Sequence, residues 1–423
     1  MSLTEKDSQY LWHPYTQHKT ASAPIAITKG KGALLWDEND KEYIDAIASW
    51  WVNPYGHSNS FIAEAIYKQL TTLEHVLFGG FTHEPAVVLA EKLMAILPKN
   101  QQKLFFSDNG STAVEIAIKV ALQYFFNKGE KKTTIIAFEN AFHGDTFAAM
   151  AASGISLFTD AFQGMFIDVV RIPVPIVGEE KASCDALAKA IKDHNCAGFI
   201  FEPLVQGAAG MVMYAPSALD TLIRMCKDNN VLTIADEVMT GFGKTGRTFA
   251  SDYLEEQPDM MCLSKALTGG TIPMAITTFT QEIFEAFYDE DINKALFHGH
   301  TFTANPTGCA AALASLELLQ TTEMQANILR VNTNHLAFEK RVQSHPKVVT
   351  TRVLGVIFAL EIKTESAASY YGNLRNKLYN FFIENGVILR PVGNIVYILP
   401  PYIITDEQLE KVFQVVESAL EIV

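Results

Sequence analysis

The stretch Leu232-Thr233-Ile234-Ala235-Asp236-Glu237-Val238 is an apolar, β-like run that stops on two carboxylates. Leu232–Ala235 reads as a strand, and an Asp at the end of such a strand is costly to bury unless it meets a cation. Similar short runs lie upstream at Lys103–Phe106, Thr134–Phe138 and Gly198–Phe201, and downstream at Met260–Leu263 and Met274–Thr278. Helix-like stretches such as Ser111–Phe126 and Cys184–His194 separate them. Strands alternating with helical patterns predict βαβ units and an α/β domain with a mainly parallel sheet. In such sheets ligands sit beyond the carboxyl ends of the strands, so the residues just after each run matter most.

The flanks differ. Ile25–Ala46 has hairpin texture, with Gly30, Gly32 and Asp37–Asp40 as turn signals. Beyond Asn305, a helix at Ala310–Leu319 leads into two helical patterns around a β-like core of Val353–Ile362, Val387–Leu389 and Ile395–Leu399, which predicts a smaller α+β domain. The expected division is a segment 1–50 packing with the small domain, a large domain 51–310 and a small domain 311–423. The 423 residues are 48% apolar and 19% charged, enough for a sizeable core. With 33 basic against 47 acidic residues the net charge is −14, which argues against a nucleic-acid coat or an anionic-membrane binder. Five scattered cysteines predict neither a disulfide framework nor a zinc ribbon. The polar start lacks a signal peptide's apolar stretch, and no uncharged apolar run reaches membrane-spanning length, so a cytoplasmic enzyme is expected.

Three motifs carry chemistry. Ser107-Asp108-Asn109-Gly110-Ser111-Thr112 takes a strand into a helix, where free N–H groups and a hydroxyl suit a phosphate; it also reads as a plain N-cap on Ser111 or Thr112. Asp236 offers a carboxylate to a cation, although a solvated strand end reads the same way. In Met261-Cys262-Leu263-Ser264-Lys265, a lysine ends another apolar run; kept from water it has a lowered pKa and serves as a nucleophile, although a snorkelling lysine reads the same way. A phosphate cradle, an Asp and a Lys in that order match the phosphate, basic ring nitrogen and aldehyde of pyridoxal 5'-phosphate. Gly241-Phe242-Gly243-Lys244-Thr245-Gly246 spells G-x-G-x-x-G, but no strand leads directly through it into a long helix, so no dinucleotide site is expected. It is no P-loop either, since Val238 stands where the first glycine belongs. His298 and His300 lack companions, so no metal site is expected.

Asn109-Gly110-Ser111, Phe142-His143-Gly144-Asp145-Thr146, Glu202-Pro203, Asp236-Glu237-Val238, Gly241-Phe242-Gly243, Ser264-Lys265 and His300-Thr301-Phe302 together resemble the class III aminotransferases, over nearly the whole chain. The resemblance implies a fold type I pyridoxal-phosphate transferase: a large domain with a mainly parallel mixed sheet flanked by helices, plus a smaller α+β domain. Trp12-His13-Pro14-Tyr15-Thr16, Ser49-Trp50-Trp51, Phe78-Gly79-Gly80-Phe81-Thr82-His83, Leu389-Arg390-Pro391 and Tyr397-Ile398-Leu399-Pro400-Pro401-Tyr402 are similar to one branch, which moves an amino group from S-adenosylmethionine to 8-amino-7-oxononanoate in biotin synthesis.

The resemblance further implies that Lys265 is the catalytic residue and carries the cofactor covalently, and that Asp236 pairs with its ring nitrogen. Gly110 and Ser111 would hold the phosphate, joined by Thr301 from a second subunit of a homodimer. Phe142 would stack on the ring, and His143 would belong to the same cofactor-binding set. Tyr15, Trp50 and Trp51 would wall the substrate pocket, and Arg390 would take the carboxylate of the keto acid. Phe142 departs from the tyrosine usual before His-Gly-Asp, which leaves lysine open as an alternative donor. Lys244 departs from the usual arginine, with Arg247 near enough in sequence to compensate. Another ω-aminotransferase, acting on ornithine, GABA or a diamine, and a binding protein with an inactive cofactor site are the competing readings.

Overall fold

The computed structural model describes residues 2–364 and 373–423. Its strands in chain order are β1 (Ile27–Lys31), β2 (Leu34–Asp37), β3 (Glu42–Asp45), β4 (Gln101–Ser107), β5 (Thr134–Phe138), β6 (Val169–Ile172), β7 (Cys196–Phe201), β8 (Val205–Gln206), β9 (Val212–Met213), β10 (Leu232–Asp236), β11 (Met260–Leu263), β12 (Ala275–Thr280), β13 (Val348–Leu354), β14 (Ile357–Ile362), β15 (Val387–Ile388) and β16 (Ile395–Ile398). The central sheet has seven strands in the order β4-β12-β11-β10-β7-β5-β6. Within it, β12 runs antiparallel to both its neighbours, while β10 is parallel to β11 and β7, and β5 to β7 and β6. The middle strands β5, β7, β10 and β11 are buried throughout, as their unbroken apolar runs require of strands covered on both faces.

The predicted strands of the central sheet recur with ends shifted by up to two residues, and β6 is an addition. Its four residues, Val169-Val170-Arg171-Ile172, form a run too short to stand out, with Arg171 exposed at the sheet edge. The predicted Val353–Ile362 run is two strands, β13 and β14, folded back on each other at Gly355-Val356. Val387–Leu389 does not join them. The small antiparallel sheet is β13-β14-β16, whereas β15 pairs in parallel with β3, so the N-terminal hairpin strands and a C-terminal strand form one sheet, β1-β2-β3-β15. Val387 faces Ile44 and Ile388 faces Asp45, which brings residues just after β3 and just after β15 together.

The helix Gly110–Asn127 packs its buried face, including Ile116, Val120 and Phe125, on the central sheet. It is capped by Asn109, whose side chain accepts from the Thr112 N–H at 3.1 Å. Neither Ser111 nor Thr112 is the cap, contrary to the plain-cap reading, and Ser111 stays available for another role. Among the described residues no helix is long and apolar enough to cross a membrane.

Candidate active site

Two adjoining cavities, of about 550 and about 380 Å³, open at the carboxyl ends of the parallel strands. They share Trp51, Val52, Ser111, Phe142, Ala208 and Lys265. The inner one is lined by Asp236, His143, Gly110 and Glu202, the outer one by Tyr15, Trp50, Asp145 and Arg390.

The inner cavity follows from strand register. Asp236 closes β10 opposite Cys262 of β11, and Lys265 follows β11 at the start of a 3-10 turn. Lys265 is held in the left-handed region (φ 50°), a strained setting for a non-glycine residue. Its amine is buried, and desolvation lowers its pKa to about 8, with the carboxylates of Asp236 and Glu202 pulling the other way. Asp236 Oδ2 sits 2.7 Å from His143 Nδ1, and Oδ1 accepts from the Val238 N–H at 3.1 Å. His143 Nε2 is buried without a hydrogen-bond partner. Glu237, the second carboxylate of the run, turns away. It accepts from the Ala250 and Ser251 N–H groups and from the Ser251 hydroxyl, so it braces a loop and takes no part in the cavity.

A side chain at Gly110 would put Cβ 2.8 Å from Val238 Cγ1, and one at Gly144 (φ 129°) would put it 2.1 Å from Ser111 Oγ. Only glycine leaves the helix terminus open at these two points. The Asp145 N–H donates to Ser111 Oγ at 3.1 Å and fixes that hydroxyl at the cavity wall. An open helix N-terminus with a hydroxyl, a buried Asp and a buried amine of lowered pKa fit the phosphate, ring nitrogen and aldehyde carbon of pyridoxal phosphate. Phe142 lines the wall; its N–H donates to Glu202 Oε1 at 3.0 Å. Burial raises Glu202 to about 7, with His143 opposing and Asp236 reinforcing the shift.

The outer cavity draws on three distant pieces of chain. Tyr15 donates its hydroxyl to Asp145 and meets Trp50 and Phe158 edge-on, with ring centres 5.7 and 5.3 Å apart. Trp50 lies under the Arg390 guanidinium at 4.5 Å, and Trp51 under the Lys265 amine at 4.6 Å. Both tryptophans belong to four consecutive left-handed residues, Ala48 to Trp51 (φ 46°, 45°, 75° and 73°). That conformation costs about 1–2 kcal/mol per residue and must be held from outside.

The cavities thus gather every predicted site residue except Thr301, which is exposed on its own chain next to His300. His300 faces Asp108 at 3.4 Å and His298 at 3.2 Å. Among the described residues no cluster of three or more histidine, cysteine or acidic side chains could hold a metal. Gly241–Gly246 is a series of turns followed by only a short 3-10 helix at Ala250–Tyr253, not by a long α-helix. Arg247 does not compensate for Lys244: its guanidinium lies over Tyr253 at 4.1 Å and donates to the Asp252 carbonyl, exposed to solvent. Lys244 itself is fully buried and its Nζ has no hydrogen-bond partner. Desolvation, aided by Lys265 and opposed by Glu237, lowers its pKa to about 7. Asp145 and Glu202 are further cavity residues; both stood in the quoted motifs, and neither was assigned a role there.

Residues 15–420 match the family model of the class-III aminotransferases. Curated relatives include adenosylmethionine-8-amino-7-oxononanoate aminotransferases from Synechococcus elongatus, 43% identical over 97% of this chain and 98% of that protein, and from Geobacter sulfurreducens, 37% identical over 100% and 98%. Among solved structures, the enzyme of that name from Methanocaldococcus jannaschii superposes with a TM-score of 0.94 at 34% identity, covering 99% of this chain and 98% of that one. The omega transaminase of Pseudomonas jessenii in complex with PMP gives 0.92 at 28% identity, covering 100% and 98%.

Proposed function

This chain belongs to the class-III aminotransferases, and from that premise we propose that it moves an amino group from S-adenosylmethionine to 8-amino-7-oxononanoate, giving 7,8-diaminononanoate in biotin biosynthesis. It is a fold type I enzyme, and its cofactor is pyridoxal 5'-phosphate. The observation that carries the substrate is the outer cavity, where an aromatic wall of Tyr15, Trp50 and Trp51 ends on the Arg390 cation, which suits an apolar chain with a remote carboxylate.

The bound cofactor supplies a carbonyl carbon that accepts amines and a ring that absorbs the electron pair left by a departing proton. Lys265 would hold it covalently, and its Nζ, once freed, would be placed to take the donor's Cα proton and later give it back. Asp236, oriented by His143, would keep the ring nitrogen protonated. Gly110 and Ser111 would hold the phosphate, and Phe142 would cover the ring. The acceptor enters the same pocket in the second half of a ping-pong cycle.

The working molecule in this proposal is a cytoplasmic homodimer, in which the partner's Thr301 completes the phosphate site. The neighbouring segments around Leu77 and Phe302 support a second subunit: they expose Leu77, Phe81, Phe297 and Phe302, and His75 packs on Phe302 at 5.1 Å. The proposed division is a cofactor-bearing large domain, 51–310, and a small domain, 311–423, which the segment 1–50 joins through the pairing of β3 with β15. Phe142, which lacks the hydroxyl usual at its position, keeps lysine open as an alternative donor, while the Trp50–Trp51 pair favours the adenosyl donor.

A half-reaction tests this directly. S-adenosylmethionine alone should remove the cofactor's visible absorbance, and 8-amino-7-oxononanoate should restore it. A response to lysine but not to the adenosyl donor would assign the donor to lysine. No response to either would move the function to another ω-amine.

A further inference from the structure

The most closely hydrogen-bonded polar cluster near the outer cavity centres on Asp45, whose side chain is fully buried at the end of β3. Its Oδ1 accepts from the N–H groups of Ile47 at 3.2 Å and Ser49 at 3.0 Å, and its Oδ2 accepts from the Ser49 hydroxyl at 2.7 Å. The same Oδ2 lies 2.8 Å from His57 Nε2. The other ring nitrogen of His57 faces Asn53 Nδ2 at 3.1 Å. With Nε2–H donating to Asp45, Nδ1 accepts from the Asn53 amide, and the chain of contacts is satisfied end to end. Asn53 backs the wall of the inner cavity, since a side chain at the lining residue Gly270 would collide with its Oδ1.

The location of this cluster joins two sets of facts. It encloses the four left-handed residues that present Trp50 and Trp51, a backbone that needs an external hold. Asp45 is also the register partner of Ile388, and the Ala46 N–H donates to the Ile388 carbonyl at 3.2 Å, two residues before Arg390. One residue therefore joins the two: its carboxylate holds the tryptophan turn, and its backbone pairs with the strand that leads into Arg390, where Trp50 and Arg390 meet 4.5 Å apart.

We propose that Asp45 and His57 are positioning residues that set the Trp50–Trp51 turn against Arg390 and thereby confer selectivity for an acceptor with a remote carboxylate. Neither touches the reacting atoms; both act through the tryptophans. The acceptor part of this inference rests on the proposed function, whereas the positioning part does not.

Asp45→Asn and His57→Leu are expected to raise KM for the keto acid about tenfold, with the donor's KM and kcat changing by less than about threefold, because misplacing a binding group by a fraction of an ångström weakens what it alone contacts. His57→Gln, which keeps an N–H for Asp45, is expected to recover most of that loss. In apoprotein, the near-UV circular dichroism of the tryptophans should fall in Asp45→Asn and His57→Leu and recover in His57→Gln. Ser49→Ala, which removes a single contact, should move both readouts the same way by less and remains informative if an Asp45 variant does not fold. Unchanged dichroism and unchanged KM, or equal rises in both KM values, would overturn the proposal. If the wild type turns over neither substrate while the apoprotein dichroism responds as described, the proposed function fails and the positioning role stands.

Discussion

The inner and outer cavities are built by opposite means. The inner one is made where consecutive elements of a single sheet end: Asp236 and Lys265 leave adjacent parallel strands, and the helix Gly110–Asn127 starts beside them. Asp236, His143 and Glu202 are buried there, and desolvation sets the chemistry, lowering the lysine and raising Glu202. The outer cavity is assembled from Tyr15, a left-handed turn at 48–51 and Arg390, pieces that share no sheet face and are joined by β3–β15 pairing and aromatic contact. Under the proposed function the difference separates tasks: the inner part would fix what reaction occurs, and the outer part on which molecule.

Lys265→Ala gives the largest expected effect. It removes the nucleophile and proton carrier together, and turnover should fall by roughly 10⁴-fold or more while the far-UV dichroism stays native. Wild-type-like turnover in this variant would end the catalytic assignment and the comparison with it. Arg390→Ala should spare the donor half-reaction and raise KM for the keto acid by about 10- to 100-fold, the loss of one charge-assisted contact. Equal effects on donor and acceptor kinetics would mean that the two cavities do not divide the work.

The same contrast governs what could be read from the sequence. Asp236, Lys265 and the Gly110–Ser111 loop were legible from local pattern, because an apolar run predicts a buried strand and the rule that ligands lie at carboxyl ends applies to whatever follows it. Trp50, Trp51 and Arg390 were legible through family resemblance alone. Nothing around Asp45 announces a partner 343 positions away, and long-range strand pairing leaves no periodic trace. The hairpin turn inside Val353–Ile362 was missed because a continuous apolar stretch hides a fold-back. The buried state of Lys244 was missed for a related reason. Its glycine-rich surroundings look like a surface loop, yet Gly243 is closed in by Leu319 and Ile328 and the Lys244 carbonyl accepts from the Val356 N–H at 2.9 Å.

A pH measurement sharpens the claim that burial tunes the inner cavity. Because only the neutral amine captures an aldehyde, capture of pyridoxal phosphate by the apoprotein should quicken as pH rises toward about 8 and level off above it. Between pH 7 and pH 9 the rate should rise about tenfold. A rate still climbing at pH 10 would mean that the amine titrates like a solvated lysine and that burial has not lowered it.

Lys244 gives the smallest expected change in rate, because it lines neither cavity, and its main effect falls on stability. Its pKa in the folded chain, about 7, lies below the 10.5 of a solvated lysine. The unfolded chain therefore binds the proton more tightly, and stability conferred at high pH is progressively lost as pH falls from about 10.5 to about 7. Lys244→Met, similar in length and with no charge to bury, should stabilise the protein by on the order of 3–5 kcal/mol below pH 7 and by about 2 kcal/mol at pH 9. Denaturant titrations of both proteins at pH 6.5 and pH 9 would measure this. A gain that is equal at the two pH values would trace the effect to packing of the methionine, and no gain at either would mean that the buried amine finds a partner that offsets its desolvation.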